Sequence, residues 1–328
     1  MSGPSDIKHD RASALVVVLG GLGFMGSHIA RALVRRGARV RIFDRLYASH
    51  ALVADLEPHV EIVEGDINRS NDVIEAVADA SKVIHLVHTT VPGSSMADPV
   101  FDITSNVAAS AAWLTRLSET NVRRILYFSS GGTVYGVPRA ELIDEEHPTD
   151  PISSYGITKL SIEKYVAMYS ALANVGHCVL RPSNVYGEGQ RLHIGQGVIG
   201  VLADRALRGE PLEIWGTGES LRDYLHVEDL VAATLALLDY GGPEHVFNVS
   251  SGAGHSVLDI VRVISDQLGF EPEIVFQPGR GFDVPVNVLD SSRLHAATGW
   301  RAAVALEDGV ARTVEWIKTL HKHEAAES

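Results

Sequence analysis

The sequence predicts an α/β protein: a doubly wound parallel sheet joined to a second, smaller α+β lobe. Three observations predict it. From Leu15 to about Leu180, short apolar runs of β type alternate with stretches of helical spacing, the pattern of a parallel sheet covered on both faces. The first of these runs ends in glycines at 20, 23 and 26, just before a helical stretch. After Arg181 glycine and proline become frequent and the regular alternation stops.

Taken in order, residues 1–13 are polar, lack the apolar core of a signal peptide and are expected to form a disordered tail. Leu15–Leu19 followed by helical spacing from Ser27 to Arg36 makes a strand, a tight turn and a helix. In such a unit Gly20 allows the turn, Gly23 lets the backbone approach a pyrophosphate and Gly26 lets helix and strand pack closely. The phosphates then rest at the positive end of the helix. This is a dinucleotide-binding (Rossmann) unit, expected to occupy 14–181. The next strand, Arg39 to Phe43, ends at Asp44, with Arg45 beside it. A carboxylate there accepts both ribose hydroxyls and repels a 2′-phosphate, which favours NAD over NADP.

Further strands are expected at Val60–Glu64, Lys82–Leu86, Arg124–Ser129 and Gly176–Arg181. The loop after each lies at the carboxyl edge, where open α/β sheets bind ligands. Asp66, after the third strand, either bonds the adenine amino group or is the N-cap of a helix from Asn68 onward. Residues 182–328 form mainly the substrate lobe, except for a strand near 244–250 that returns to the large sheet. The last helix is expected from Leu306 to Lys318, with a frayed tail from His321.

Composition narrows the function. Of the 328 residues 28 are Lys or Arg and 41 Asp or Glu, a formal charge of −13, and no basic run stands out, which argues against a nucleic-acid partner. Nowhere are there enough consecutive apolar residues to span a bilayer. The single cysteine, Cys178, cannot form an internal disulfide, which suits a reducing cytoplasm, and its expected role is core filling. No metal is expected.

The chemistry concentrates in Ser153-Ser154-Tyr155-Gly156-Ile157-Thr158-Lys159, which opens a helix to about Ala173. Tyr155 and Lys159 are four apart and share a helical face. A free tyrosine, with a pKa of about 10, is a poor base at neutral pH, but a nearby ammonium and an oxidised nicotinamide favour its phenolate. Lysine can also hold the nicotinamide ribose.

With the glycine turn and this pair in place, the chain resembles the extended short-chain dehydrogenase/reductase superfamily and, within it, the NAD-dependent nucleotide-sugar epimerase/dehydratase family. The resemblance runs from Leu15 to Trp316. It is carried by Gly20 to His28, Gly65-Asp66-Ile67, Ser129 to Gly136, Tyr155 to Lys159, Arg181 to Gly187 and Arg222 to Asp229. It is most similar to enzymes that invert C4 of UDP-glucose or UDP-galactose through a transient 4-keto sugar. The resemblance implies that NAD lies on Gly20, Gly23, Phe24, Met25, Gly26, Asp44, Arg45, Asp66, Ile67, Leu86, Val87, His88, Ser129, Tyr155 and Lys159. It also implies that a nucleotide-diphosphate sugar, expected to be UDP-linked, meets Asn184, Arg222 and Arg280, with Asp283 on the nucleotide ribose.

Two departures from the family pattern stand out. The hydroxyl residue usually found three before the Val of Val-Tyr-Gly is Gly131 here, so Thr133, or else Ser130, is expected to donate to the developing oxyanion. After the fourth strand, small residues are replaced by His85 to Ser95. His88 would reshape the nicotinamide side of the pocket, and the hydroxyls of Thr89, Thr90, Ser94 and Ser95 become candidate sugar contacts. Gly132-Thr133 stands where dehydratases carry an Asp-Glu pair, which argues against elimination of water. Helices between Val100 and Glu119 and from Ser161 to Ala173 show apolar faces beyond what one sheet would cover; in the family that the chain resembles the equivalent pair forms a dimer interface, so the resemblance implies a homodimer, with burial within one chain as the alternative. The alternatives are a UDP-glucuronate 4-epimerase or decarboxylase and a non-catalytic NAD-binding regulator.

Overall fold

The computed structural model describes residues 14–192, 197–279 and 284–327. The expected tail, 1–13, and two candidate substrate residues, Arg280 and Asp283, lie outside them. Six strands, β1 (Leu15–Leu19), β2 (Arg39–Asp44), β3 (Val60–Glu64), β4 (Lys82–His85), β5 (Arg124–Phe128) and β6 (Gly176–Pro182), join a seventh, Val246–Val249. The sheet order is Val246–Val249, β6, β5, β4, β1, β2, β3. The pairs β1–β2, β1–β4, β2–β3, β4–β5 and β5–β6 are all parallel. The order reverses at β1, so the carboxyl ends of β1 and β4 flank a topological switch point, the place where such sheets take a ligand. Every residue of β1 is buried, which is why it reads as an unbroken apolar run.

The chain divides into two compact, interleaved units. The first gathers 14–136, Thr149–Arg181 and Val231–Phe247; the second gathers Val137–Pro148, Pro182–Leu230 and 248–327. Val231–Phe247 joins the first because Lys82 pairs with Asp239 at 2.6 Å and Arg124 donates to the Leu237 carbonyl at 3.0 Å. Val137–Pro148 joins the second because Ile143 bridges Leu289 and its carbonyl accepts from Asn248 at 2.8 Å. The second unit has its own core, built from Ile199, Leu202, Ile214, Ile260, Ile264, Val314 and Ile317 among others.

Two element limits differ from the sequence expectation. The first helix, Phe24–Arg35, starts directly after Gly23, because the glycine itself takes the cap position. The last helix, Leu306–Glu327, continues through the stretch expected to fray, since His321 reaches Asp204 at 2.7 Å and Glu324 reaches Arg208 at 3.3 Å. Cys178 is buried, and burial pushes its thiol up to about 11, so it is inert filling. Among the described residues no helix is long and apolar enough to cross a membrane.

Candidate functional site

The glycine turn is built as a cradle. Gly20 has φ +89°, and the backbone and side chain of Val87 lie 3.3 Å from where its Cβ would be, which brings the loop after β4 against the turn. At Gly26 a Cβ would fall 2.2 Å from the Gly20 carbonyl oxygen. At Gly23 only that same carbonyl comes within 4 Å, at 3.4 Å, so the space before it is open. Gly23 offers the helix Phe24–Arg35 no side-chain cap, and the N–H groups of a helix's first turn have no intrahelical partner, which suits them to an anion. Asp44 closes the other side: its Oδ2 accepts from Leu22 N at 3.0 Å and its Oδ1 from Arg45 N at 2.9 Å. A carboxylate has about four lone-pair positions, so two stay available for ribose hydroxyls. These residues fit a dinucleotide. Gly26→Ala is expected to force the turn open against a backbone carbonyl that cannot rotate away, costing about 1–3 kcal/mol of stability and weakening NAD binding at least about tenfold; a thermal melt and an NAD titration measure both.

The other expected cofactor residues divide. Ile67 is in the core of the first unit, Leu86 lies beside Gly20, and Phe24 and Met25 open the helix. Asp66 spends Oδ1 on the amide and side chain of Asn68, at 2.9 and 2.8 Å, which closes a turn ahead of the helix Ser70–Val77; that helix is capped at Arg69 without a side-chain bond, so Asp66 is not its N-cap. Those bonds hold its carboxyl below the usual range. Ser129 turns its hydroxyl to Glu163, which also takes Arg181 at 2.7 Å, so this side chain belongs to a buried ion-pair network rather than facing a cofactor.

The long helix Ser154–Ala173 starts at Ser153, whose hydroxyl oxygen accepts from Gly156 N at 3.2 Å. Its first turn is docked from several sides. Tyr155 N donates to Ser95 Oγ at 3.1 Å, and a Cβ on Gly156 would fall 2.6 Å from the Thr133 carbonyl oxygen. Gly156 is therefore what lets the Thr133 loop lie against the turn carrying Tyr155. The Thr133 hydroxyl is buried and makes no hydrogen bond, while the Ser130 carbonyl accepts from Thr133 N and Val134 N. An unpaired buried hydroxyl beside the tyrosine is free to donate to a ligand.

Lys159 Nζ donates to the Phe128 carbonyl at 2.8 Å and sits 5.7 Å from the centre of the Tyr155 ring. Burial pulls the ammonium down to about 7, with Glu163 and Asp102 opposing. Burial, and next the charge of Asp102, raise the Tyr155 phenol well above its ordinary value. Without a ligand the phenol therefore holds its proton.

The sequence reading passed over Asp102. Its side chain is fully buried at the end of Pro99–Asp102, where a π-helical turn, Ile103–Ala108, begins. Its Oδ1 accepts from Thr90 at 2.5 Å and Asn106 at 3.0 Å, and its Oδ2 from Ser154 at 2.7 Å and Thr158 at 3.2 Å. Although burial opposes ionisation, the neighbouring His88 ring and bonds from Thr90 and Ser154 hold this carboxyl well below the carboxylate range. The hydroxyls expected to touch a sugar are thus committed elsewhere. Thr90 bonds Asp102, Thr89 bonds Ser105, Ser94 closes on Val91, and Ser95 donates to Pro92 while holding Tyr155. They satisfy the loop's own polar groups, which burial would otherwise leave unpaired.

In the second unit, Asp223 accepts from Ser183, Ser251, Gly252 and Leu289, fixing the strand Leu221–His226 that carries Arg222. Asn184 is exposed and donates to the Asp223 carbonyl at 2.9 Å. Tyr186 is a buried ring of that unit's core, edge-on to His226. Among the described residues no three His, Cys, Asp or Glu side chains gather to hold a metal.

Comparison with known proteins agrees with this geometry. The sequence model of the NAD dependent epimerase/dehydratase family matches residues 16–250. The UDP-glucose 4-epimerase of Mycolicibacterium smegmatis is 32% identical over 307 residues, 92% of this chain and 98% of that one. The crystal structure of a UDP-glucose 4-epimerase from Thermotoga maritima with UDP-glucose superposes with a TM-score of 0.88 at 30% identity, covering 94% of this chain and 99% of that one. One from Thermus thermophilus in complex with NAD gives 0.85 at 30% identity, covering 93% and 99%.

Proposed function

Because the chain belongs to the NAD dependent epimerase/dehydratase family and NAD is its cofactor, we propose that it inverts C4 of a nucleotide-diphosphate sugar, with UDP-glucose and UDP-galactose as its substrate pair. The observation that carries this reading is the Tyr155–Lys159 pair on a helix turn against which the Thr133 loop, with its unpaired hydroxyl, is packed, in the same unit as a glycine cradle fit for a dinucleotide.

When bound, NAD supplies the acceptor and later the donor of the C4 hydride. The protein handles the proton. The Tyr155 oxygen acts as the phenolate that Lys159 and an oxidised nicotinamide favour: it takes the O4 hydroxyl proton as the C4–H bond breaks, becoming the neutral phenol, and gives that proton back once the 4-keto sugar presents its other face. Lys159, 5.7 Å from the centre of the ring, is the cation placed to favour the phenolate against the burial and the Asp102 field that hold the phenol proton. Thr133 donates to O4, where charge develops in the transition state, and so lowers the barrier selectively. Arg222 and Asn184 bind the diphosphate, a task suited to a planar guanidinium. The test is to incubate the protein with UDP-glucose, UDP-N-acetylglucosamine and UDP-glucuronate and to look for C4 epimers by NMR; turnover confined to UDP-glucose and UDP-galactose supports the reading, and NAD binding with no epimer from any sugar refutes it.

The active form is a homodimer in the cytoplasm, where Cys178 stays reduced. Val100, Phe101 and Ile103 on one helical run, and Ile157, Met168 and Leu172 on Ser154–Ala173, are exposed apolar side chains, Leu172 at 76%. Covering what each still exposes is worth about 1–2 kcal/mol. Leu172→Glu with Phe101→Glu is expected to give a monomer in analytical ultracentrifugation.

A further inference from the structure

The imidazole of His88 is only 5% exposed, yet neither of its ring nitrogens makes a hydrogen bond. Its ring stands edge-on to that of Tyr155, with centroids 4.6 Å apart and planes at 73°. Its Nε2 lies 3.5 Å from Asp102 Oδ1, an electrostatic contact rather than a hydrogen bond. Desolvating two ring nitrogens costs stability that a phenylalanine of similar volume would not, so packing alone does not account for a histidine here.

The charged and titratable groups around it are Asp102 from Pro99–Asp102, Tyr155 and Lys159 from Ser154–Ala173, and His85 from β4. Burial, then Lys159, pulls His88 down to about 4 against the pull of Asp102, so the ring is neutral at neutral pH. A carboxylate facing Nε2 selects the tautomer with its proton there, which aims the N–H dipole at Asp102.

We propose that His88 is a positioning residue for Tyr155: anchored at Asp102, its neutral ring fixes the phenol ring and its N–H dipole turns part of the carboxylate's field away from the phenol. This rests on Tyr155 being the proton carrier proposed above. Replacing the ring by one without a dipole exposes the phenol to the full Asp102 charge and makes its proton harder to remove.

The test uses the NAD-loaded protein and titrates the near-ultraviolet phenolate band, with a Tyr155→Phe protein subtracted to isolate that phenol. His88→Phe is expected to keep the melting temperature and to raise the Tyr155 midpoint by about half a pH unit or more. With substrate, kcat at neutral pH falls about tenfold while KM stays within about twofold, and the acid limb of kcat moves up with the phenol. His88→Gln, which can still donate to Asp102, restores most of both. A His88→Phe protein with an unshifted midpoint and full kcat overturns the proposal, as does loss of melting temperature shared equally by both variants without a midpoint shift. The titration needs no sugar, so a shifted midpoint in a protein inactive on every nucleotide sugar would sink the epimerase reading while still showing that His88 sets the Tyr155 phenol.

Discussion

Tyr155→Phe is expected to lower kcat by about 10²–10⁴-fold while NAD binding and the melting temperature stay near their original values. The phenol oxygen is the group that takes the substrate proton, whereas the ring is what packs against His88 and over Lys159. Phenylalanine keeps the second role and abolishes the first. The backbone bond from position 155 to Ser95 also survives, so the helix start should not move. KM for the nucleotide sugar should change little, because an interaction that strengthens only in the transition state is read in kcat. Steady-state kinetics beside an NAD titration check this, and a phenylalanine variant at full speed would remove Tyr155 from the chemistry.

Thr133→Ala is expected to cost about 10²–10³-fold in kcat, and Thr133→Ser to recover most of it. The hydroxyl is unpaired in the free protein, so its removal leaves no internal partner orphaned and the fold should be unaffected. Its energy is realised only when a developing oxyanion arrives. Ser130→Ala is expected to cost less than about tenfold, since the contribution of residue 130 to this loop is its carbonyl, which accepts from 133 and 134. Equal losses at both positions would mean that the two hydroxyls share the task.

The sheet was legible because its signals are local. A buried parallel strand is an apolar run, and the glycine spacing with Asp44 at the next strand end specifies both sides of a dinucleotide cradle. Tyr155 and Lys159 are four residues apart on one helix and could be paired on paper. The Asp102 network could not. Its donors lie 4, 12, 52 and 56 residues away, and nothing in the spacing of a Thr, an Asn and another Ser and Thr says that they converge on one buried carboxylate. For the same reason the hydroxyls of Thr89, Thr90, Ser94 and Ser95 read as free to meet a sugar, when each is used to hold its own loop. Gly156 looked like an ordinary member of its motif; the neighbouring Thr133 carbonyl and Pro151 ring give the reason that no side chain fits there. The interleaving of the two units was half visible. The returning strand has an apolar pattern, but Val137–Pro148 joins the second unit through bonds of Ile143, Glu145 and Glu146 that no periodicity announces.

The most direct test of hydride removal and return at a single carbon follows UDP-glucose deuterated at C4 by NMR in the presence of the NAD-loaded protein. UDP-galactose that keeps its deuterium at C4, with no net build-up of reduced cofactor, is the predicted result. Loss of the deuterium to solvent, or no galactose product while NAD remains bound, would contradict it.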